Sequence, residues 1–242
     1  MSWHRRPLVG FDVETSGIDP ETSRIVTGCV VRFGGGQPST ARSWLSDAGG
    51  VEIPAEATAV HGITTGRARS AGRPAPAVIA EITAALAEAA DTGLPIVAMN
   101  AQFDLTLLDR EARRYGIRPL FDRAVPCVID PRVLDKKVDR FRRGSRTLTD
   151  LCRHYVVQLD EAHTAEADAV AACAVTWKLA NRYQWLKRLD LANLHEQQVH
   201  WAREQAEGLR DHFARTDGKQ ELAASVRLDW PLVPAPRAGA YP

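Results

Sequence analysis

Long apolar runs are missing from this chain. No stretch approaches the ~20 consecutive apolar residues that a membrane-spanning helix needs, although hydrophobic residues make up 45% of its 242 positions. The basic start, Met1-Ser2-Trp3-His4-Arg5-Arg6-Pro7, is not followed by the apolar segment of a secretory signal. A cytoplasmic enzyme without a membrane partner is the expectation. Cysteine is scarce and scattered: Cys29, Cys127, Cys152 and Cys173 form no C-x-x-C pair. That argues against a zinc knuckle and for reduced, mostly buried thiols. Excess charge of one sign is also missing. The 31 Lys and Arg residues face 30 Asp and Glu residues, leaving +1, so a nucleic-acid partner has to be argued from where the charges lie.

What is present suits one α/β domain with an extension. Pro7 to Val13 reads as a buried strand through Leu8, Val9, Phe11 and Val13. Ile25 to Phe33 is a second strand, rich in β-branched residues. Gly34-Gly35-Gly36 then turns the chain into a third strand ending at Trp44 and Leu45, an antiparallel start to a sheet. The period next changes. Pro76 to Ala90 carries Val78, Ile79, Ile82 and Leu86 at helical spacing. Pro95 to Met99 and Ala124 to Ile129 are short buried strands, separated by a helix over Phe103 to Tyr115 that Gly116 ends. Helices are predicted over Pro131 to Asp139, Thr147 to Tyr155 and Ala165 to Leu186. A mixed sheet with helices packed on it follows from this order. Residues 1–188 are read as the main domain and 189–242 as a helical extension with a Pro-rich tail. In the extension Leu191, Leu194, Trp201, Leu209 and Phe213 form a sparse stripe that should lie across the main domain. The tail from Trp230 is either extended along the surface or disordered.

Three acidic features stand out, each ambiguous alone. Asp12 and Glu14 are two apart on a predicted strand, so both carboxylates leave the same face. Two like charges desolvated together are costly unless a cation neutralises them, and hard oxygen ligands suit Mg²⁺ or Mn²⁺. A solvated strand end, or a pair bridged to Arg, is the alternative. Asp104, in Asn100-Ala101-Gln102-Phe103-Asp104, lies in the first helical turn after a buried strand, near where ligands gather in α/β sheets. It reads equally as an acid set against a helix dipole. His163 precedes the last long helix and Asp168 lies in its first turns, among Ala165, Ala167, Ala169, Ala171 and Ala172. Small neighbours permit close helix–sheet packing.

In this order the three features resemble the DEDDh 3′→5′ exonuclease superfamily: Asp-x-Glu on the first strand, Asn-x-x-Phe-Asp in the middle, His-x-x-x-x-Asp near the end. The resemblance spans residues 7–186. Val60-His61-Gly62-Ile63-Thr64 matches a loop of the branch that holds the proofreading epsilon subunit of bacterial DNA polymerase III, with RNase T as a further relative. The resemblance implies a ribonuclease H-like fold, a five-stranded mixed sheet flanked by helices, and metal-dependent release of nucleoside 5′-monophosphates from a free 3′ end. Asp12, Glu14, Asp104 and Asp168 would hold two Mg²⁺ or Mn²⁺ ions, roughly 3.5–4 Å apart in two-metal sites. His163 would be the general base, since an imidazole titrates near neutrality, about pH 6.5. Thr15, Gly17, Ile18, His61, Asn100 and Phe103 would contact substrate, although Phe103 reads as well as a core aromatic.

The resemblance favours DNA ends, single-stranded or frayed, as in proofreading or DNA repair. An exoribonuclease like RNase T or oligoribonuclease is the alternative, and a non-catalytic nucleic-acid-binding scaffold a weaker one. Met99 stands where many relatives of the epsilon branch have His. No clamp-binding motif is evident after residue 190, which favours a stand-alone enzyme. Arg132, Lys136, Lys137, Arg140, Arg142, Arg143 and Arg146 crowd one stretch with only Asp135 and Asp139 in its interior. That stretch fits either a phosphate-tracking arm or a solvated face.

Overall fold

β1 (Pro7–Thr15) and β2 (Ile25–Gly34) pair antiparallel from Pro7↔Gly34 to Glu14↔Thr27, with an irregularity between Glu14 and Thr15. The fold is that of a computed structural model, which describes residues 2–159 and 163–235. Gly34, Gly35 and Gly36 all have positive φ, between +67° and +79°, a conformation L side chains resist. This glycine run turns the chain into β3 (Thr40–Leu45), the outer strand of the hairpin.

Two short helices follow, α1 (Ala55–His61) and α2 (Thr65–Ala71). α3 (Ala75–Asp91) then buries Val78, Ile79, Ile82 and Leu86 completely. Each such side chain contributes about 1.5–3 kcal/mol on leaving water, so the helical period fixes which face meets the sheet. β4 (Ile96–Val97) joins β1 in parallel, and β5 (Val128–Ile129) joins β4 in parallel. Between them lie α4 (Ala101–Arg114) and α5 (Leu120–Arg123). The strand order is β3-β2-β1-β4-β5, which is the expected five-stranded mixed sheet of the ribonuclease H-like fold.

α6 (Pro131–Val138) and α7 (Leu148–Tyr155) lead to α8 (Ala165–Arg182). α8 lies against β1 closely enough that a methyl group on Gly10 would stand 2.6 Å from the Ala169 carbonyl oxygen. The opposite face of the sheet belongs to α3: a methyl group on Gly28 would meet Ile82 at 2.8 Å. The helix expected over Ala165 to Leu186 ends at Arg182 instead. The chain turns at Tyr183, and Leu186 enters the core, where its carbonyl accepts the Trp3 indole N–H at 3.2 Å.

α9 (Leu191–Ala214) packs Leu194 and Trp201 into the main core cluster. It also satisfies the free side of the edge strand β5, where open backbone groups are a liability. Gln198 Nε2 donates to the Val128 carbonyl at 3.0 Å, His195 Nδ1 accepts from Val128 N–H, and Gln198 Oε1 accepts from Asp130 N–H at 2.8 Å. α10 (Gln220–Ser225) folds back along α9. The tail then runs extended over α4. Val233 N–H donates to Thr106 Oγ1, and Arg110 reaches the carbonyls of Val233 and Pro234. No helix of the described residues is long and apolar enough to cross a membrane.

Candidate functional site

Gly10, Asp12 and Glu14 alternate onto the face of β1 that α8 covers. Because Gly10 lets α8 approach, Asp168, in the first turns of that helix, comes to the two strand acids. Ligand oxygens of Asp12, Glu14 and Asp168 all lie within 4.8 Å of one another, and all three residues are half-buried. Asp104 enters from the first turn of α4 and is 5% exposed. It lies outside that trio of ligand atoms, yet close enough to push Asp12 up.

The electrostatics are those of uncompensated carboxylates. Burial, then Asp104, Asp168 and Glu14, raise Asp12 well above the usual carboxylate range. Burial and Asp168 push Glu14 up to about 7. Burial is also the first cause of the upward shifts of Asp104 and Asp168. Among the described residues no Lys or Arg forms an ion pair with any of the four. The alternative of an Arg-bridged pair is therefore not the arrangement found. Oδ1 of Asp168 is buried with no hydrogen-bond partner among the described residues. Such a centre is stable only if protons or a cation neutralise it. An all-oxygen donor set fits a hard divalent cation. The thiols are unsuited as ligands: burial pushes Cys29 up to about 11, and Cys173 is fully buried.

His163 is exposed, has φ +70°, and its main-chain N–H donates to Asp168 Oδ2 at 3.3 Å. Beside the acids the chain leaves β1 in a tight turn. Thr15 Oγ1 donates to the Gly17 carbonyl at 2.6 Å, and Ser16 and Arg24 close the loop. Ile18 is left 95% exposed at its tip. His61 ends α1, so the segment read as a loop from Val60 to Thr64 is the junction of two helices. Burial lowers the His61 pKa, the main chain of Thr15 partly opposing this, and Nδ1 accepts from Ile63 N–H.

Asn100 and Phe103 are placed differently. Asn100 caps α4 with φ +63°, and its Oδ1 accepts from Arg132 Nη1 at 2.6 Å. Phe103 is half-buried and packs against the core. Sequence reading missed Gly10 and Asp130. Asp130 is buried and accepts from the N–H groups of Asn100, Ala101 and Arg132, which fixes the start of the Asp104 helix. A glycine two residues before Asp12, on the same strand face, was the available signal for the first. For Asp130 nothing local distinguishes it.

The basic stretch divides. Arg142 Nη2 and Arg146 Nε donate to Oδ2 of the buried Asp135 at 2.9 and 2.7 Å, and Tyr155 donates to its Oδ1. Those two arginines neutralise a core acid and are not free to track phosphates. Among the described residues Lys136 and Arg143 make no hydrogen bond or ion pair, and Arg140 lies over the Phe141 ring.

A ribonuclease H-like sheet with a four-carboxylate centre at its middle strand defines a nuclease class of fold and site. The chain matches the RNase_T family, described as exonuclease, over residues 9–176, and it belongs to that family. Among solved structures it is similar to exonuclease I of E. coli in complex with a dT13 oligonucleotide, at 18% identity and TM-score 0.58, covering 74% of this chain and 43% of that one. It is also similar to the moderately thermophilic exonuclease I of Methylocaldum szegediense, at 20% identity and TM-score 0.62, covering 86% and 46%. The zinc-bound E. coli ExoI–ssDNA complex matches at 19% identity and TM-score 0.60, covering 74% and 42%. The chain spans less than half the length of these enzymes, and at such identity the likeness is one of fold. No curated protein matches the chain in sequence.

Proposed function

We propose that this chain is a divalent-metal-dependent 3′→5′ exonuclease acting on single-stranded or frayed DNA ends. The observation that carries the reading is the convergence of Asp12, Glu14 and Asp168 within 4.8 Å, with no Lys or Arg ion pair to them among the described residues, in a member of an exonuclease family. Asp12, Glu14, Asp104 and Asp168 would hold Mg²⁺ or Mn²⁺, two ions in this reading. Bound there, the ions supply positive charge against the negative charge that grows on the phosphate oxygens.

The chain's own residues do the rest. His163 accepts the proton of the attacking water, while its main-chain N–H steadies Asp168. Water oxygen bonds to phosphorus as the bond to the 3′-oxygen breaks. The leaving 3′-oxygen takes a proton from solvent, so the shortened strand keeps a 3′-hydroxyl, His163 later returns its proton to solvent, and the product is a nucleoside 5′-monophosphate. Thr15, Gly17 and the exposed Ile18 form the rest for the terminal nucleotide, with His61 as its wall. Asn100 and Phe103 act indirectly, by setting the start of α4.

DNA is favoured because the structurally similar exonuclease I is described in complex with DNA oligonucleotides. The same chemistry on RNA is the second reading, supported by the RNase_T family match. Digestion of matched DNA and RNA oligomers with Mg²⁺, using Asp12→Ala as control, separates the two. Faster release from DNA supports the first reading, faster release from RNA the second, and no release from either removes both.

A further inference from the structure

Beyond the carboxylate centre lies a cleft of about 260 Å³ between α6 and the returning C-terminal segment. Arg132, Lys136, Arg227, Asn100 and Gln102 are among the residues that line it. Its position is set by the sheet. Asn100 follows β4 and Asp130 follows β5, so the cleft opens beyond the carboxyl ends of these two strands. β1 is parallel to β4 with Gly10 level with Val97. Asp12 and Glu14 therefore lie toward the same end of the sheet. Asn100 also begins α4, and Asp104 sits one turn along it, about 6 Å by helical rise. Asp130, which lines the cleft, is also close enough to raise Asp104, so the cleft neighbours the acidic centre.

The two sites have opposite charge. Lys136 is half-buried and makes no hydrogen bond or ion pair among the described residues. Arg227 is exposed and likewise free of both. Among the described residues the Arg132 side chain hydrogen-bonds the neutral amide of Asn100 and forms no ion pair, with Asp130 close enough to feel its charge. Of the acids in the lining, Asp130 is held by three main-chain N–H groups and offsets part of the charge of Arg132 and Lys136, and Asp229 is exposed. This contrasts with Arg142 and Arg146, whose charge is consumed by Asp135. The three cations outnumber the two acids of the lining, and cations without ion pairs in a concave site suit an anionic ligand.

We infer that this cleft binds the phosphodiester backbone of the strand on the 5′ side of the nucleotide being removed, through Arg132, Lys136 and Arg227. The inference rests on the exonuclease reading for the direction of the strand. A strand is favoured over an acidic peptide because the cleft borders the centre that receives the scissile phosphate, so one polyanion can occupy both. The C-terminal extension then has a function: α9 and α10 carry the segment that brings Arg227 opposite Lys136 and closes the second wall.

The test compares the full chain with Lys136→Gln, Arg227→Gln and the double variant, each checked for an unchanged melting temperature. Arg227 is exposed and unbonded, so its single variant folds even if the double variant does not. Mononucleotide release from a dinucleotide and from a longer oligothymidylate is measured with Mg²⁺, and binding of the labelled longer strand is measured in EDTA across a salt series. The expected result is that dinucleotide cleavage is retained while the preference for the longer strand collapses. The salt slope of binding becomes shallower by about 1.4 for two lost single-strand phosphate contacts. If the wild type cleaves and the variants keep its length preference and salt slope, the cleft assignment is overturned and the nuclease reading stands. If the wild type cleaves nothing, the nuclease reading fails, and an unchanged salt slope would remove the cleft assignment as well. Loss of binding to a labelled polyglutamate peptide, with strand binding intact, also overturns it.

Discussion

The main-chain N–H of His163 donates to Oδ2 of Asp168 at 3.3 Å, so the candidate base and one candidate metal ligand are positioned together. His163 holds this place with φ +70° while its side chain remains exposed. Among the described residues it is the main chain of His163 that makes the hydrogen bond, which leaves the ring open to the proposed role of general base. His163→Ala should lower the turnover rate by about 10²–10⁴-fold, the usual contribution of a general base. It should leave the metal-induced rise in melting temperature nearly unchanged, because the carboxylates remain. Single-turnover digestion and thermal melts check the two halves, and an unimpaired rate contradicts the role.

Glu14 gives a pH dependence with a definite sign. Its folded pKa is raised from 4.5 to about 7. An acid with a raised folded pKa contributes stability that is present below its unfolded value and lost as pH rises through the folded value. In chelator, the melting temperature of Glu14→Gln minus that of wild type should therefore grow between about pH 4.5 and 7 and level off above. Excess Mg²⁺ should narrow the difference at the alkaline end, since a ligand bound only by the folded state stabilises it. A difference that shrinks with rising pH in chelator contradicts the description of the site.

Gly10 links packing to the site. Its added methyl group would press on the Ala169 carbonyl, Val31 and Cys173 and push α8, with Asp168, away from Asp12. Gly10→Ala should cost about 1–3 kcal/mol of stability by overpacking. Its folded fraction should also lose roughly 10²-fold in rate, as expected of a displacement near 1 Å. Gly28→Ala is the matched control, since its methyl group would press on Ile82 on the other face. Urea titration and rates per folded molecule should show stability loss in both variants and rate loss in Gly10→Ala alone.

Asp135 tests the reading of the basic stretch. It is fully buried and accepts from Arg142, Arg146 and Tyr155. Asp135→Ala leaves two largely buried guanidinium groups unbalanced and should destabilise by about 3–5 kcal/mol, measured by urea unfolding. A change under about 1 kcal/mol would mean that the cluster is solvated like a surface pair.

Much of this was legible in the chain, and the exceptions share a cause. β1, β2 and the glycine turn announce themselves by apolar runs and turn chemistry, and α3 by its period. β4 and β5 shrink to two residues each, Ile96–Val97 and Val128–Ile129, because the chain leaves β4 through left-handed Asn100 and leaves β5 to start α6. α1 buries no residue and α2 only Ala68, so neither shows an amphipathic period. The acidic residues were readable because strand alternation and helix position place them without knowledge of the fold. Asp130, Asp135 and Gln198 were not. Their meaning comes from partners such as Ala101, Tyr155 and Val128, distant in sequence and adjacent only once the sheet is assembled. The tail was open between two readings: its described part is extended and pinned to α4 by Thr106 and Arg110, while residues 236–242 lie outside the described residues.

The most direct measurement follows one single-stranded DNA oligonucleotide labelled at either its 3′ or its 5′ end, with Mg²⁺ and with EDTA. The account predicts that the 3′ label leaves at once as a nucleoside 5′-monophosphate while the 5′ label shortens one nucleotide at a time. Both changes should stop in EDTA and in Asp12→Ala. Intact strands with Mg²⁺ or Mn²⁺, or digestion that persists in EDTA or starts from the 5′ end, would contradict it.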